Sequence, residues 1–176
     1  MSTAKTTTSI SVDLIRFETS LPFAEVISRL DVEINKAGSE DIMAQIRAVK
    51  NQEEFISTIN KYKPNSFLYF FDYPHHRILQ YDGVKKPANV SYVVGNPLIA
   101  QKILTHNPLA GFCVPPRLLV AEKPDGPGAI VAYHRPSTLM SVPEGENHPD
   151  LQSILDLLDS KLEQLAQTIT AVEPTA

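Results

Sequence analysis

The chain has little of what most activities leave behind in a sequence. Cys113 is the one cysteine among 176 residues, so no disulfide can form within the chain, and that fits a reducing compartment. No run approaches the roughly 18 consecutive apolar residues needed to span a bilayer. The Thr/Ser-rich start, Met1 to Ser9, carries no apolar core of a secretory signal. Basic charge is not in excess: the net charge is −4, which offers no footprint for a phosphate backbone or an anionic lipid. Nucleic acid and membrane are therefore not expected partners, and a cytoplasmic location is expected.

Motifs with a chemical mechanism are equally scarce. There is no His-Glu-x-x-His spacing and no Cys/His pair. Gly126 and Gly128 flank a proline in a turn with no lysine behind it, so they form no phosphate loop. No metal and no cofactor is expected. What remains is an ordinary globular composition, 43% hydrophobic and 20% charged, long enough for one sizeable core. The expected organisation is one domain over 9–170 between disordered tails at 1–8 and 171–176.

Periodicity supplies the elements. Ile10, Val12 and Leu14 alternate with polar residues, which reads as a strand over Ser9 to Phe17 with those three on its buried face. Pro22 suits a first helical turn; Phe23, Val26, Ile27, Leu30 and Ile34 follow at helical spacing, and Gly38 is placed to stop that helix. Ile42, Met43, Ile46 and Val49 make a second helical pattern. A third starts near a capping box, Asn51 with Glu54, and is expected to bury Phe55, Ile56, Ile59 and Tyr62. Pro64-Asn65 closes the helical half. Strands are then expected at Phe67 to Phe71, Arg77 to Tyr81 and Val90 to Val94, with Asp82-Gly83 as a turn between the last two. A helix over Pro97 to Leu104 follows. Arg117 to Ala121 and Ala129 to Tyr133 flank Pro124-Asp125-Gly126-Pro127-Gly128 as a hairpin.

The last helix is the clearest element. Leu151, Leu155, Leu158, Leu162, Leu165 and Ile169 fall at steps of four and three, with Ile154 and Leu157 widening the stripe. A coiled-coil seam would use this spacing, but the added width favours an amphipathic helix laid across a sheet. The order of elements makes the fold class α+β: a curved antiparallel sheet of five to six strands with helices packed on one face.

Three corners punctuate this order: Gly95-Asn96-Pro97, the Val114-Pro115-Pro116-Arg117 start of a strand, and Tyr133-His134-Arg135-Pro136 at the end of another. With these corners the chain resembles the family of domains of unknown function numbered 302, DUF302. The resemblance covers Phe67 to Leu165 well and the first strand and helix loosely. It implies a β-α-β-β-β-β-α arrangement similar to the TATA-binding-protein and pollen-allergen groups, with 39–64 as an added helical insertion. It implies no activity, because the family has none that is settled.

Candidate site residues come from the same corners. Tyr133 and Arg135, on alternate positions of a strand end, would share a face and grip a carboxylate or phosphate; His134 would face away. Against this, Tyr133 would be a core residue and Arg135 a brace for the loop after Pro136. Arg117 is either a second half of that anion site or a stem covering the sheet edge. Asn96 is a candidate ligand contact and, most simply, a helix cap. His75-His76 would point to opposite faces of a strand, so the pair is a poor chelate and reads as a solvated turn. Cys113, between Phe112 and Val114, reads as a buried, inert thiol.

The leading expectation is a module that binds a small molecule or a partner, without catalysis. The ligand would occupy an apolar cavity between the sheet and the last helix, lined by Phe67, Tyr69, Phe70 and Phe71. The alternative is a small enzyme acting on an anionic substrate through Tyr133, Arg135 and Arg117. Assembly of a homodimer through the last helix is a third expectation.

Overall fold

Alternating apolar residues build five strands, β1 (Leu14–Thr19), β2 (Leu68–Pro74), β3 (Asn89–Gly95), β4 (Arg117–Glu122) and β5 (Ala129–His134). In the computed structural model, which describes residues 3–62, 67–84 and 86–172, they form one sheet in the order β1-β5-β4-β3-β2. Every neighbouring pair is antiparallel. The helices are α1 (Phe23–Glu33), α2 (Ile42–Ala48), α3 (Gln52–Lys61), α4 (His76–Leu79), α5 (Pro97–His106), α6 (Pro136–Met140) and α7 (Pro149–Thr170). The α+β class, the single antiparallel sheet and its helical cover agree with the sequence pattern.

Helix α7 covers the sheet as its stripe implies. Leu151, Leu155, Leu158, Leu162, Leu165, Ala166 and Ile169 are all buried. They meet Val90, Tyr92 and Val94 of β3, Leu118 and Val120 of β4, and Val131 and Tyr133 of β5 in one core that also takes Val26 and Leu30 of α1. Burying a side chain of this size contributes on the order of 1.5–3 kcal/mol. Leu157, expected to widen the stripe, is 49% exposed: it follows Leu155 and Ala166's row by too large a rotation to reach the sheet, whereas Ile154 packs at the core's edge.

Four local expectations are corrected. The buried face of β1 is the other one: Ile15 and Phe17 pair with Tyr133 and Val131, while Leu14 is 63% exposed. The strand cannot start earlier, because Leu14 already pairs with the last residue of β5, His134. Arg77 to Tyr81 is helical rather than extended, since β3 has β2 on one side and β4 on the other and no free edge for another strand. Helix α1 ends at Glu33, before Gly38; the left-handed residue behind it is Asn35, at φ 50°. Ile56 of α3 lies exposed, although Phe55, Ile59 and Tyr62 turn inward. The capping box itself forms, with Asn51 Oδ1 accepting from the Glu54 amide at 2.9 Å and Glu54 accepting from the Lys50 amide at 2.9 Å. The Pro64-Asn65 break lies outside the described residues.

The turns carry specific fastenings. At the β4–β5 hairpin Gly128 has φ +113°, and a Cβ there would meet the Thr19 carbonyl oxygen, so β1 can approach only a glycine. His75 and His76 lead into α4 rather than a strand, and both tie to β3: His75 Nε2 lies 2.8 Å from Ser91 Oγ and His76 Nδ1 lies 3.0 Å from the Asn89 carbonyl. Near the β2 edge, Lys36 reaches Asp72 at 2.7 Å and Asp31 at 3.6 Å, over the rings of Tyr69 and Tyr92. Burial alone would lower the Lys36 pKa, but the hydrogen bond to Asp72 and the charges of Tyr92, Asp31 and Asp72 outweigh it and hold the ammonium above the usual lysine range.

Two measurements check this packing. Leu155→Ala and Leu162→Ala should each cost about 2–5 kcal/mol in urea denaturation, and Leu157→Ala should stay within about 0.5 kcal/mol of the parent. Tyr133 is buried, and burial followed by the carboxylates of Glu163 and Asp159 pushes its hydroxyl up to about 12. Folded chains thus keep a proton that unfolded chains release near 10, so this contribution is full below pH 10 and is lost as pH rises toward 12. Tyr133→Phe should therefore lose less stability than the parent between pH 8 and about pH 11, by on the order of 1 kcal/mol; parallel losses would contradict the assignment.

Candidate functional site

The interior beneath α7 is filled by its own leucines, so the cavity expected there is not where space occurs. A groove of about 860 Å³ opens instead along α5, at the end of the sheet where β3 stops and β2 and β4 begin. One wall is α5 itself, through Ile99, Ala100, Ile103 and Leu104; the facing wall is Met43 and Ile46 of α2 with Phe55 of α3. Phe70 and Phe71 close it from β2, Val93 and Gly95 from β3, Val114, Pro115 and Pro116 from the segment before β4, and Leu158 from α7. Of the expected aromatic lining, Phe70 and Phe71 reach the groove. Phe67 and Tyr69 belong to the core instead.

Local sequence explains each wall. Asn96 caps α5, its Oδ1 accepting from the Leu98 amide at 3.0 Å, and Pro97 occupies the first turn, where a missing N–H costs nothing. Gly95 is required by packing: a Cβ on it would stand 2.8 Å from Pro115 Cβ. The Val114–Pro115 peptide is cis, and the Pro116 carbonyl accepts from the Val94 amide at 3.1 Å. The Gly-Asn-Pro corner and the Pro-Pro-Arg corner are thus one packed unit at the groove floor. A bulge between Tyr69 and Phe71 brings the adjacent Phe70 and Phe71 to the same opening, which strict alternation would forbid.

Among the described residues the lining contains no ionisable side chain. Its polar members are already engaged. Gln101 exchanges two hydrogen bonds with Gln52 of α3, at 2.7 and 3.0 Å, and Thr105 donates to the Gln101 carbonyl at 2.9 Å. Asn96 spends its side-chain oxygen on the cap. Such a surface can take up apolar area from water; it offers no acid, base or nucleophile.

The residues singled out from the sequence lie in several places. Asn96 lines the groove. Tyr133 faces the core at 4% exposure. Arg117 and His134 are exposed on the opposite face of the sheet, next to the Leu118–Tyr133 cross-strand pair. Arg135 sits beyond β5, where its amide donates to the Asp13 carbonyl at 2.9 Å and its Nε lies 3.6 Å from Asp13 Oδ2. Arg135 lies near enough to Tyr133 for its charge to act on the tyrosine hydroxyl, whereas Arg117 is on the opposite face of the sheet from Tyr133 and shares that face with His134. Cys113 is partly buried against the core. Sequence reasoning missed the contribution of Met43, Ile46 and Phe55, whose spacing announced helices without saying what they would face.

These features can be set beside known proteins. The family described as domain of unknown function DUF302 matches residues 44–169, which run from α2 to the end of α7. Among solved structures, an uncharacterised conserved DUF302 protein from Bacillus stearothermophilus is similar, with a TM-score of 0.59 at 18% identity, over 89% of this chain and 97% of that one. At that identity the likeness establishes the fold. No curated protein matches. The match spans all three corners and more than half of the sequence, and the chain belongs to the DUF302 family.

Proposed function

We propose that the protein is a binding module whose ligand is a small apolar molecule held in the groove along α5. The observation that carries this reading is the lining: about 860 Å³ walled by aliphatic and aromatic side chains, without a titratable group among them. Ligand sites in proteins are of this size and mostly apolar. Leaving Phe71 54% exposed and Met43 40% exposed at its mouth costs stability that a ligand would recover by covering them. The segment that carries α2 and α3 acquires a role here, since Met43, Ile46 and Phe55 provide a wall of the groove beside α5. An acyl chain or a fused-ring compound fits this chemistry; a free phosphate or a sugar does not. The enzymatic alternative would need Arg117 beside Tyr133 and Arg135, and Arg117 faces the other side of the sheet from the buried Tyr133. A cytoplasmic setting is consistent with Cys113 remaining a thiol.

The test uses a medium-chain fatty acid and a lipophilic fluorescent dye with the full chain. Saturable binding of one equivalent of dye, displaced by the fatty acid, is expected. Ala100→Trp, which places a large ring in the groove from the middle of α5, should weaken both by at least about tenfold, or about 1.4 kcal/mol, with the melting temperature maintained. Equal binding by parent and variant, or no binding by either, overturns the proposal.

A further inference from the structure

A second feature lies at the other end of α5, outside the groove. His106 occupies the last turn of α5, and His148 with Asp150 opens α7. The two imidazoles stack at 4.8 Å between centroids, with planes 14° apart. One ligand atom from each of His106, His148 and Asp150 lies within 4.8 Å of the others. His148 Nδ1 is 3.6 Å from Asp150 Oδ2. Ligands of a tetrahedral zinc ion, with bonds of about 2.0–2.1 Å, stand roughly 3.3 Å apart. The pair on α7 is therefore near ligand spacing already; an ion lies in the plane of each imidazole that binds it, so one ring must turn out of the stack, for which the exposed side chain of His148 has room.

We propose that His106, His148 and Asp150 form a binding site for a divalent transition-metal ion, zinc in the simplest case. Two imidazoles and one carboxylate are donors that zinc accepts readily, and three protein ligands leave a coordination position open. His106 and Asp150 also line a hollow of about 420 Å³ together with Lys102, Thr105, Ser153 and Ile154. The carbonyl end of α5 favours a cation beside His106. Lys102 and the positive N-terminal end of α7 act against it, so the carboxylate of Asp150 is needed to make the site attractive. In the metal-free arrangement His148 Nδ1 accepts from the Asp150 amide at 3.2 Å, as a helix cap; an ion would take that nitrogen in place of a long hydrogen bond. His106 and His148 are far apart in sequence, which is why no spacing motif announces them. The proposal stands independently of the groove.

The experiment is a zinc titration of the full chain after chelator treatment, followed by calorimetry and by the imidazole resonances in proton–nitrogen spectra. One equivalent should bind, with His106 and His148 responding together and His75, His76 and His134 unmoved. His106→Gln, Asp150→Asn and His148→Asn, the last keeping a capping side chain, should each weaken binding at least roughly tenfold, since loss of an outer partner alone costs 10- to 100-fold at metal sites. Cobalt in place of zinc should give visible bands that His106→Gln abolishes. The proposal is overturned if no histidine responds, if the responding histidines are the other three, or if the variants bind zinc as the parent does.

Discussion

One contact governs the arrangement of everything else: the apolar row of α7 lying across a single face of the sheet. Seven residues of that helix are buried there, against strands whose inward residues are equally apolar. A sheet covered on one face hides alternate residues, as β1 and β4 do in the register set by their neighbours, while β2 departs from the alternation at its bulge. The cost is that the covered interior has no room. Tyr92, Leu118, Leu155 and Leu162 fill the layer between helix and strands, and the groove lies where α7 contributes little. That place is the end of the sheet, where α5 crosses from β3 and only Leu158 of α7 contributes to the boundary.

The corners that identify the family act on this geometry and not on chemistry. Gly95 is small because Pro115 packs on it. Asn96 and Pro97 start α5, and both line the groove that runs along it. The Tyr-His-Arg-Pro corner ends β5, and its arginine is tied by backbone and side chain to Asp13 just ahead of β1. Pro136 then opens α6, whose first turn is fastened to α7 by Asp159 accepting from the Ser137 amide at 2.9 Å and from its hydroxyl. Turn residues of this kind persist because few others can occupy the same backbone and packing positions. Their presence therefore establishes a shape while leaving the cargo of the groove open to the side chains around it.

How much of this was legible depends on how local each signal is. The stripe of α7 needs only its own spacing, and the capping box of α3 only four residues; both read correctly. The face of β1 did not, because Ile10, Val12 and Leu14 alternate just as well as Ile15 and Phe17, and the choice is made by where β5 ends. Arg77 to Tyr81 reads as extended from its composition, yet β3 already has partners on both sides, a fact that belongs to the whole sheet. The groove was half legible. Phe70 and Phe71 stand out as an aromatic run, but a bulge was needed to aim them together, and the wall from Met43, Ile46 and Phe55 comes from a distant segment. His106 and His148 meet only because α5 and α7 pack against each other.

Helix α5 is consequently the element on which both proposals bear. Its start is held by Asn96 and by the Gly95–Pro115 contact, its middle by the paired amides of Gln101 and Gln52, and its end by Asn107. That asparagine is 4% exposed and donates to the carbonyls of Met140 and Ser141 at 2.9 and 3.1 Å, so the C-terminal turn of α5 is anchored to α6 and the loop before α7. A ligand in the groove would press on the face of α5 that carries Ile99 and Ala100, whereas an ion at His106 and His148 would join the last turn of α5 to the first turn of α7. Neither ligand needs to touch the other for the two to interact. Because one short, packed helix would serve both, any effect of an ion at its end on binding in the groove would have to be mutual.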